Sequence, residues 1–377
     1  LEVGLKPQRN LTDKKDFIMK KIVLTGGGTA GHVTPNIALL PALQAAGYEI
    51  AYVGSYEGIE KKLIADFNIP YTGISTGKFR RYLDPKNFSD PFRVMKGFVE
   101  ARNYLKNYQP DVVFSKGGFV SVPVVRAAAS LHIPCIIHES DMTPGLANKL
   151  CIPVAEKVCC NFPETMKNIP ADKAVLTGSP IRAELAQGSR LAGLNMCGFT
   201  ANKPVIMVIG GSLGAANVNK AVRDALPKLL EDFQVVHLCG KDKIDNLLLN
   251  TPGYKQFEYI KAELKDIFAM ADVVISRAGA NAICELLALK KPNILIPLPA
   301  ASSRGDQLLN AASFEAQGYS IVLNEDDITT NLLVDKVHEL YFNRQNYVEA
   351  MSRSHQMDAI NTIMLLINEA ANKSHTQ

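Results

Sequence analysis

The sequence predicts an α/β protein made of two doubly wound parallel-sheet halves that face each other across a cleft, and three observations predict it. Residues 21–31, KIVLTGGGTAG, run from a short β-branched apolar strand straight into glycines and then into a helix-like stretch at 32–43. Residues 205–215, VIMVIGGSLGA, repeat the device near the middle of the chain, ahead of a helical pattern at 216–230. Strand and helix signals alternate through both halves, the βαβ rhythm of parallel sheets. A chain of 377 residues is long enough for two domains with a core each.

In chain order, the first half shows strand signals at 22–24, 49–53, 112–115, 135–138, 157–161 and 174–176, with helices at 57–67, 121–131 and from 144. A linker centred on Gly178, Ser179 and Pro180 closes it. The second half continues from its opening strand with strands at 233–238, 257–260, 273–276, 293–296 and 320–323, and helices at 264–270, 280–289 and 307–317. From 328 to about 371 the chain reads as helical, its last helix folding back on the first half. The expected division is 19–180, 181–345 and a helical return at 346–377. Residues 1–18, ahead of Met19, have no apolar segment of a secretory signal and are expected to be a disordered extension. No apolar run reaches the roughly 18 residues of a membrane span; the nearest, 121–137, carries Arg126 and His132.

The apolar and charged fractions, 47% and 21%, are ordinary for a globular protein, and a net charge of +4 is mild. Seven cysteines without CxxC spacing form neither a metal motif nor an even disulfide framework, so they are expected to be reduced core thiols of a cytosolic protein. Residues 73–109 break the rhythm: Lys78, Arg80, Arg81, Arg93 and Lys96 alternate with Phe79, Tyr82, Phe92 and Phe98 at amphipathic helical spacing. That composition suits an anionic membrane surface, or a solvated helix whose aromatics face the core. Nucleic acid is disfavoured, because the rest of the chain has no basic bias.

The glycine loops carry the first chemistry. Gly26, Gly27, Gly28 and Gly31 bring the backbone close to a ligand at a helix start, which makes an anion site. A nicotinamide cofactor is disfavoured, because the second strand ends Val53, Gly54, Ser55 without the acidic residue that holds a ribose. His32 follows the loop where a helix dipole opposes its protonation, so it is either a neutral base or a capping residue. His138, Glu139, Ser140 and Asp141 lie at the carboxyl end of a strand, where doubly wound folds place ligands or loop-bracing hydrogen bonds. Residues 276–285, SRAGANAICE, join a strand to a helix through small residues, with Glu285 placed for ribose hydroxyls or for the helix dipole.

Taken in order, TGGGTAGH, KGGFVSVP, HESDMTPGLANK, GSPIR, GGSLGA, SRAGANAICE and the pair Asp306, Gln307 resemble the MurG family. These are the UDP-N-acetylglucosamine:undecaprenyl-pyrophosphoryl-MurNAc-pentapeptide N-acetylglucosaminyltransferases of bacterial peptidoglycan synthesis. The resemblance implies a GT-B fold of two Rossmann-like domains and an inverting transfer that needs no metal and no cofactor. GlcNAc would pass from UDP-GlcNAc to the 4-hydroxyl of MurNAc on lipid I, giving lipid II for cell-wall growth, shape and division. It implies His32 and Glu139 as candidates for the base. Thr29, Ala30, Gly31, Asp141, Arg182, Ser212, Ile260, Ala280, Asn281, Ala282, Ile283, Cys284, Glu285 and Gln307 would form the donor site. Gly27, Gly28, Gly117, Gly118, Phe119 and Asn148 would face the acceptor, and Lys78, Phe79, Arg80 and Arg81 would dock on an anionic membrane.

A peripheral place on the cytoplasmic face of the membrane follows from that resemblance, with proteins of cell-wall assembly as further partners. Two departures stand out. Asp141 replaces a family amide in HEQN, which affects the sugar contacts, and Phe119 replaces a family tyrosine on the acceptor side. The rival readings are a GT-B transferase acting on another lipid, such as diacylglycerol, and a non-catalytic nucleotide-sugar sensor.

Overall fold

The computed structural model describes residues 19–77, 90–210, 215–300 and 305–374. Its first half alternates β1 (Lys21–Thr25), α1 (Thr34–Ala45), β2 (Glu49–Ser55), α2 (Ile59–Ile64), β3 (Tyr71–Ile74), α3 (Asp90–Tyr108), β4 (Val112–Ser115), α4 (Ser121–Ser130), β5 (Cys135–Glu139), α5 (Leu146–Cys151), β6 (Lys157–Cys160), α6 (Pro163–Met166) and β7 (Ala174–Leu176). All these strands pair in parallel, in the order β3-β2-β1-β4-β5-β6-β7. The order reverses between β1 and β4, a switch point of the kind at whose carboxyl-end loops doubly wound folds bind ligands.

The second half begins with α7 (Arg190–Cys197) and continues through β8 (Val205–Ile209), α8 (Ala216–Asp232), β9 (Gln234–Leu238), β10 (Tyr254–Phe257), α9 (Leu264–Met270), β11 (Val273–Ser276), α10 (Ala280–Ala288), β12 (Asn293–Leu295), α11 (Asp306–Ala316) and β13 (Ser320–Val322). Its parallel order, β10-β9-β8-β11-β12-β13, has the same kind of switch point between β8 and β11. Three helices follow: α12 (Thr330–Phe342), α13 (Arg344–Ser352) and α14 (Ala359–Ser374).

Strands buried on both faces explain the continuous apolar runs. In the first sheet Val23, Val113 and Ile137 face one core, and Ile22, Leu24, Phe114 and Ile136 face the other. The second of these cores is completed by α14, whose Ile363, Met364 and Ile367 pack with Leu39, Leu43 and Tyr52. Fully burying each of those isoleucines contributes about 1.5–3 kcal/mol. Tyr48 donates to Asn368 Oδ1 at 2.7 Å, and Lys20 Nζ to Asn372 Oδ1 at 2.7 Å. The chain thus passes between the halves twice, and the crossings touch. Gln356 Nε2 donates to Asn161 O at 2.8 Å, and a Cβ on Gly178 (φ +71°) would lie 2.7 Å from Gln356 O.

Three local readings change. The strand expected at 257–260 lies instead at Tyr254–Phe257, because Gln256 is buried as the partner of Arg223 Nη2 (2.9 Å) and of Asp245, so a polar residue fills a core position. The stretch from 73 begins inside an edge strand, β3, that the apolar pattern does not reveal. After the first glycines the chain makes one tight turn, Ala30–His32, before α1 starts at Thr34. All seven cysteines are buried free thiols. Among the described residues no helix is long and apolar enough to cross a membrane. Residues 1–18, Lys78, Phe79, Arg80, Arg81 and Ser212 lie outside the described residues.

Candidate functional site

The loops after β1 and β4 interlock. Gly27 N donates to Gly117 O at 3.3 Å, and Lys116 N donates to Thr25 O at 2.9 Å. Gly118 (φ +82°) lies so close that a Cβ there would meet Gly27 O at 2.3 Å and His32 Nδ1 at 3.1 Å. Beneath the first loop sits Glu60, fully buried on α2. Its Oε2 accepts from Gly28 N at 3.2 Å, and its Oε1 from Ser55 N at 3.0 Å and Ser55 Oγ at 2.5 Å. A carboxylate thus braces the glycine turn from below, while Gly28, Thr29 and Ala30 remain exposed at its rim.

His32 stands at this rim, half-buried. Its Nδ1 lies 3.0 Å from Gly27 O and 3.2 Å from Thr29 Oγ1. A carbonyl only accepts, so Nδ1 carries the proton and Nε2 keeps its lone pair. Burial first, then the charge of Lys116, pushes the imidazole down to about 4, against the Gly27 carbonyl and Glu60, which pull it up. At neutral pH it is an uncharged proton acceptor.

The 138–141 wall is organised around a lysine. Lys116, buried at the end of β4, donates from Nζ to His138 Nδ1 at 2.8 Å and to Ser140 Oγ. His138 Nε2 donates to Gly178 O at 2.9 Å. Burial and the neighbouring ammonium hold this imidazole well below the usual histidine range, so it is neutral. Glu139 is buried too: Oε1 accepts from Asp141 N at 2.9 Å, and Oε2 from Gly145 N at 3.0 Å and Asn148 Nδ2 at 2.8 Å. All those donors belong to the loop and helix that follow β5, so this carboxylate sets their shape. Asn148 lies against Gly117, where an added Cβ would meet its carboxamide at 3.3 Å, and its Oδ1 is buried without a partner. Phe119 packs its ring on the core behind β4 and β5.

The opposite rim comes from the second half. α10 starts after Gly279 with small residues and presents its first turn to the first glycine loop; Asn281 Nδ2 donates to Gly31 O at 3.2 Å. A cavity of about 40 Å³ lies between the halves, lined by Thr34, Pro35, Ser179, Arg182, Asn281 and Glu285 among others. Burial raises the Glu285 carboxyl to about 7, with Arg182 pulling the other way. Arg182 has a buried, unpartnered Nε. Ile283 and Cys284 turn into the core behind the helix, while Ala280 and Ala282 are half-buried at its start. Ile260 is buried just beyond β10, and Gln307 Oε1 accepts from Leu298 N at 3.1 Å, shaping the loop after β12. Among the described residues no three His, Cys, Asp or Glu side chains are grouped to share a metal ion.

The structure therefore brings Gly31 of the first half to Asn281 of the second, and Thr34 and Pro35 at the start of α1 into one cavity with Asn281 and Glu285. Sequence reasoning missed Glu60 and Lys116, which composition alone assigns to the surface. Lys116 directly follows β4 and precedes a glycine pair, whereas Glu60 carries no such mark in the sequence.

Comparison with known proteins places the whole arrangement. Residues 22–160 match the glycosyltransferase family 28 N-terminal domain, and residues 205–364 match the family 28 C-terminal domain. The UDP-N-acetylglucosamine--N-acetylmuramyl-(pentapeptide) pyrophosphoryl-undecaprenol N-acetylglucosamine transferase of Lachnospira eligens is 64% identical over 93% of this chain and 99% of its own. The protein of that name from Clostridium botulinum is 56% identical over the same shares. The crystal structure of Acinetobacter baumannii MurG superposes with a TM-score of 0.73 at 29% identity, over 93% of this chain and 99% of that one. The fold alone is shared with a glycosyltransferase of kitacinnamycin, at 16% identity and a TM-score of 0.69. With both family domains matched in order and near-complete overlap with its relatives, the chain belongs to glycosyltransferase family 28, among the MurG-type N-acetylglucosaminyltransferases.

Proposed function

We propose that this chain transfers N-acetylglucosamine from UDP-N-acetylglucosamine to the N-acetylmuramyl-pentapeptide carried on pyrophosphoryl-undecaprenol, completing lipid II for peptidoglycan. The observation that carries the reading is 64% identity over 93% of the chain to a transferase of that name. In this reaction the acceptor 4-hydroxyl attacks C1 of the donor sugar, its proton passes to a base, and the C1–O bond to UDP breaks with inversion.

His32 is the base in this reading, acting through Nε2. It is uncharged at neutral pH and stands on the first glycine rim, and Asn281 and Glu285 face that rim across the cleft. Glu139 is then a positioning residue, because both its oxygens are held by the loop that follows it. Ser212 and the start of α10 receive the diphosphate in this reading, and Glu285 the ribose. In this reading the halves part to admit the nucleotide sugar and close around it.

Docking on the membrane is supported by α3. Phe92, Met95 and Val99 follow helical spacing and are 80%, 66% and 50% exposed, with Arg93 and Lys96 exposed beside them. An apolar stripe flanked by cations suits the anionic inner leaflet, each cation contributing about 1 kcal/mol. We place the enzyme at the cytoplasmic face on this ground, with Lys78, Phe79, Arg80 and Arg81 adjoining the same helix in sequence.

The deciding experiment follows labelled GlcNAc from UDP-GlcNAc to a short-chain lipid I analogue, with wild type and His32→Ala side by side. Product with wild type and a loss of about 10²–10⁴-fold with the variant at preserved donor affinity support the reading. A folded, donor-binding wild type that makes no product rejects the acceptor, and diacylglycerol is the next to try.

A further inference from the structure

The second sheet carries, beyond the carboxyl ends of its strands, a buried ion pair to which the transfer reaction has given no task. Arg277 lies in the turn between β11 and α10, and its Nη2 pairs with Oε2 of Glu325, which follows β13. The two side chains are 10% and 7% exposed. Taking two charges out of water commonly costs more than their attraction returns, so such a pair speaks less for stability than for a fixed geometry. That geometry joins the segments that follow β8, β11, β12 and β13. Arg277 leads by its own main chain into α10, and its Nη1 donates to Ile296 O at 3.0 Å and Pro297 O at 3.2 Å, in the loop after β12. The next amide of that loop, Leu298 N, is the one held by Gln307. Glu325 Oε1 accepts from Asn217 Nδ2 at 2.5 Å, in the first turn of α8. Asn310 of α11 adds a further tie, donating from Nδ2 to Ala278 O at 3.1 Å.

We propose that Glu325 is a positioning residue for donor binding: through Arg277 and Asn217 it holds the starts of α8 and α10, and the loop that meets Gln307, in one register around the nucleotide sugar. The proposal rests on those segments forming the UDP-N-acetylglucosamine site. Helix-start amides cannot follow a displaced ligand as a long side chain can, so their mutual placement decides how well they hold it. Glu325 acts through its neighbours and needs no contact with the donor. Removing its carboxylate leaves the Arg277 charge buried without its counter-ion and Asn217 Nδ2 without its acceptor.

The test measures UDP-GlcNAc binding by calorimetry and steady-state transfer to the lipid I analogue for wild type, Glu325→Ala, Glu325→Gln and Asn217→Ala, each with a thermal melt. Glu325→Ala should raise the Kd and the KM for UDP-GlcNAc about ten-fold, while the KM for the lipid I analogue stays within about two-fold of wild type. Glu325→Gln can turn its oxygen to Arg277 and its amide to a flipped Asn217, so it should keep donor affinity within about three-fold. Asn217 is exposed at the edge of the cluster, so Asn217→Ala should leave the melt unchanged and weaken donor binding about three-fold. If Glu325→Ala does not fold, Asn217→Ala and Glu325→Gln carry the test. Folded variants that bind UDP-GlcNAc as wild type does overturn the proposal, as does an equal rise in the acceptor KM, and both leave the transfer reading intact. A folded wild type that fails to bind UDP-GlcNAc removes the donor site, and the proposal with it.

Discussion

Replacing Gly118 with alanine is the sharpest perturbation of the interlocked loops. At φ +82° an L-residue pays about 1–2 kcal/mol for its backbone alone. The new Cβ would start 2.3 Å from Gly27 O, so one loop must withdraw by about 0.7 Å before the contact reaches 3.0 Å, the shortest that real Cβ atoms tolerate. Gly27 O is also the acceptor that fixes the His32 tautomer, so the withdrawal displaces the base. Misplacing a reacting group by about 1 Å costs on the order of 10²-fold in rate. The expected outcome is a kcat reduced 30- to 100-fold, roughly, with a melting temperature lower by about 3–8 °C. Donor affinity should stay close to wild type, because the nucleotide is held from the other half. Steady-state transfer to a soluble lipid I analogue and a thermal melt measure both effects. Wild-type kcat in a protein with a lowered melting temperature would show that the loop contact serves stability and has no part in aligning His32.

Two further outcomes follow from the same cleft and its surface. The Glu285 carboxyl sits at about 7 in place of the usual 4.5, so the stability it contributes is full below pH 4.5 and is lost as pH rises through 7. Melting of the unliganded protein should show that loss, about 3 kcal/mol, Glu285→Gln should flatten it while weakening UDP-GlcNAc binding, and an unchanged pH slope would mean the carboxyl ionises freely. Changing Phe92, Met95 and Val99 together to serine should release the protein from anionic vesicles in a sedimentation assay without slowing transfer to a water-soluble acceptor; vesicle binding equal to wild type would remove α3 from the docking surface.

The architecture was legible because parallel strands buried on both faces announce themselves. IVL at 22–24, VVF at 112–114 and VVIS at 273–276 have no solvent face to alternate with, and glycines mark where each half opens. β3 was not legible: its YTGI pairs only with β2 at the sheet edge, and three of its four residues are half-buried. β10 was displaced in the reading because Gln256 is buried for its hydrogen bonds, which no hydropathy pattern carries. The candidate site divides the same way. The glycine turns, His32, Glu139 and Glu285 are visible as residue types at strand ends. The roles of Glu60 and Lys116 depend on partners distant in sequence, Gly28 for one and His138 for the other, so only the fold reveals them.

The two contacting crossings, at Gly178 and Gln356, govern how the molecule can move. A single covalent tether would let the halves swivel and twist freely; two side by side, tied by Gln356 Nε2 to Asn161 O, behave as the two pins of one door hinge. Rotation about the line through the pins remains soft, and torsion across it is resisted by main chain. Any opening of the cleft should therefore approximate a single swing that returns Gly31 to the same place opposite Asn281 of α10. Because α14 is the leaf that fixes the second pin to the first sheet, loosening its apolar face should blur that registration at a distance from every group in the cleft.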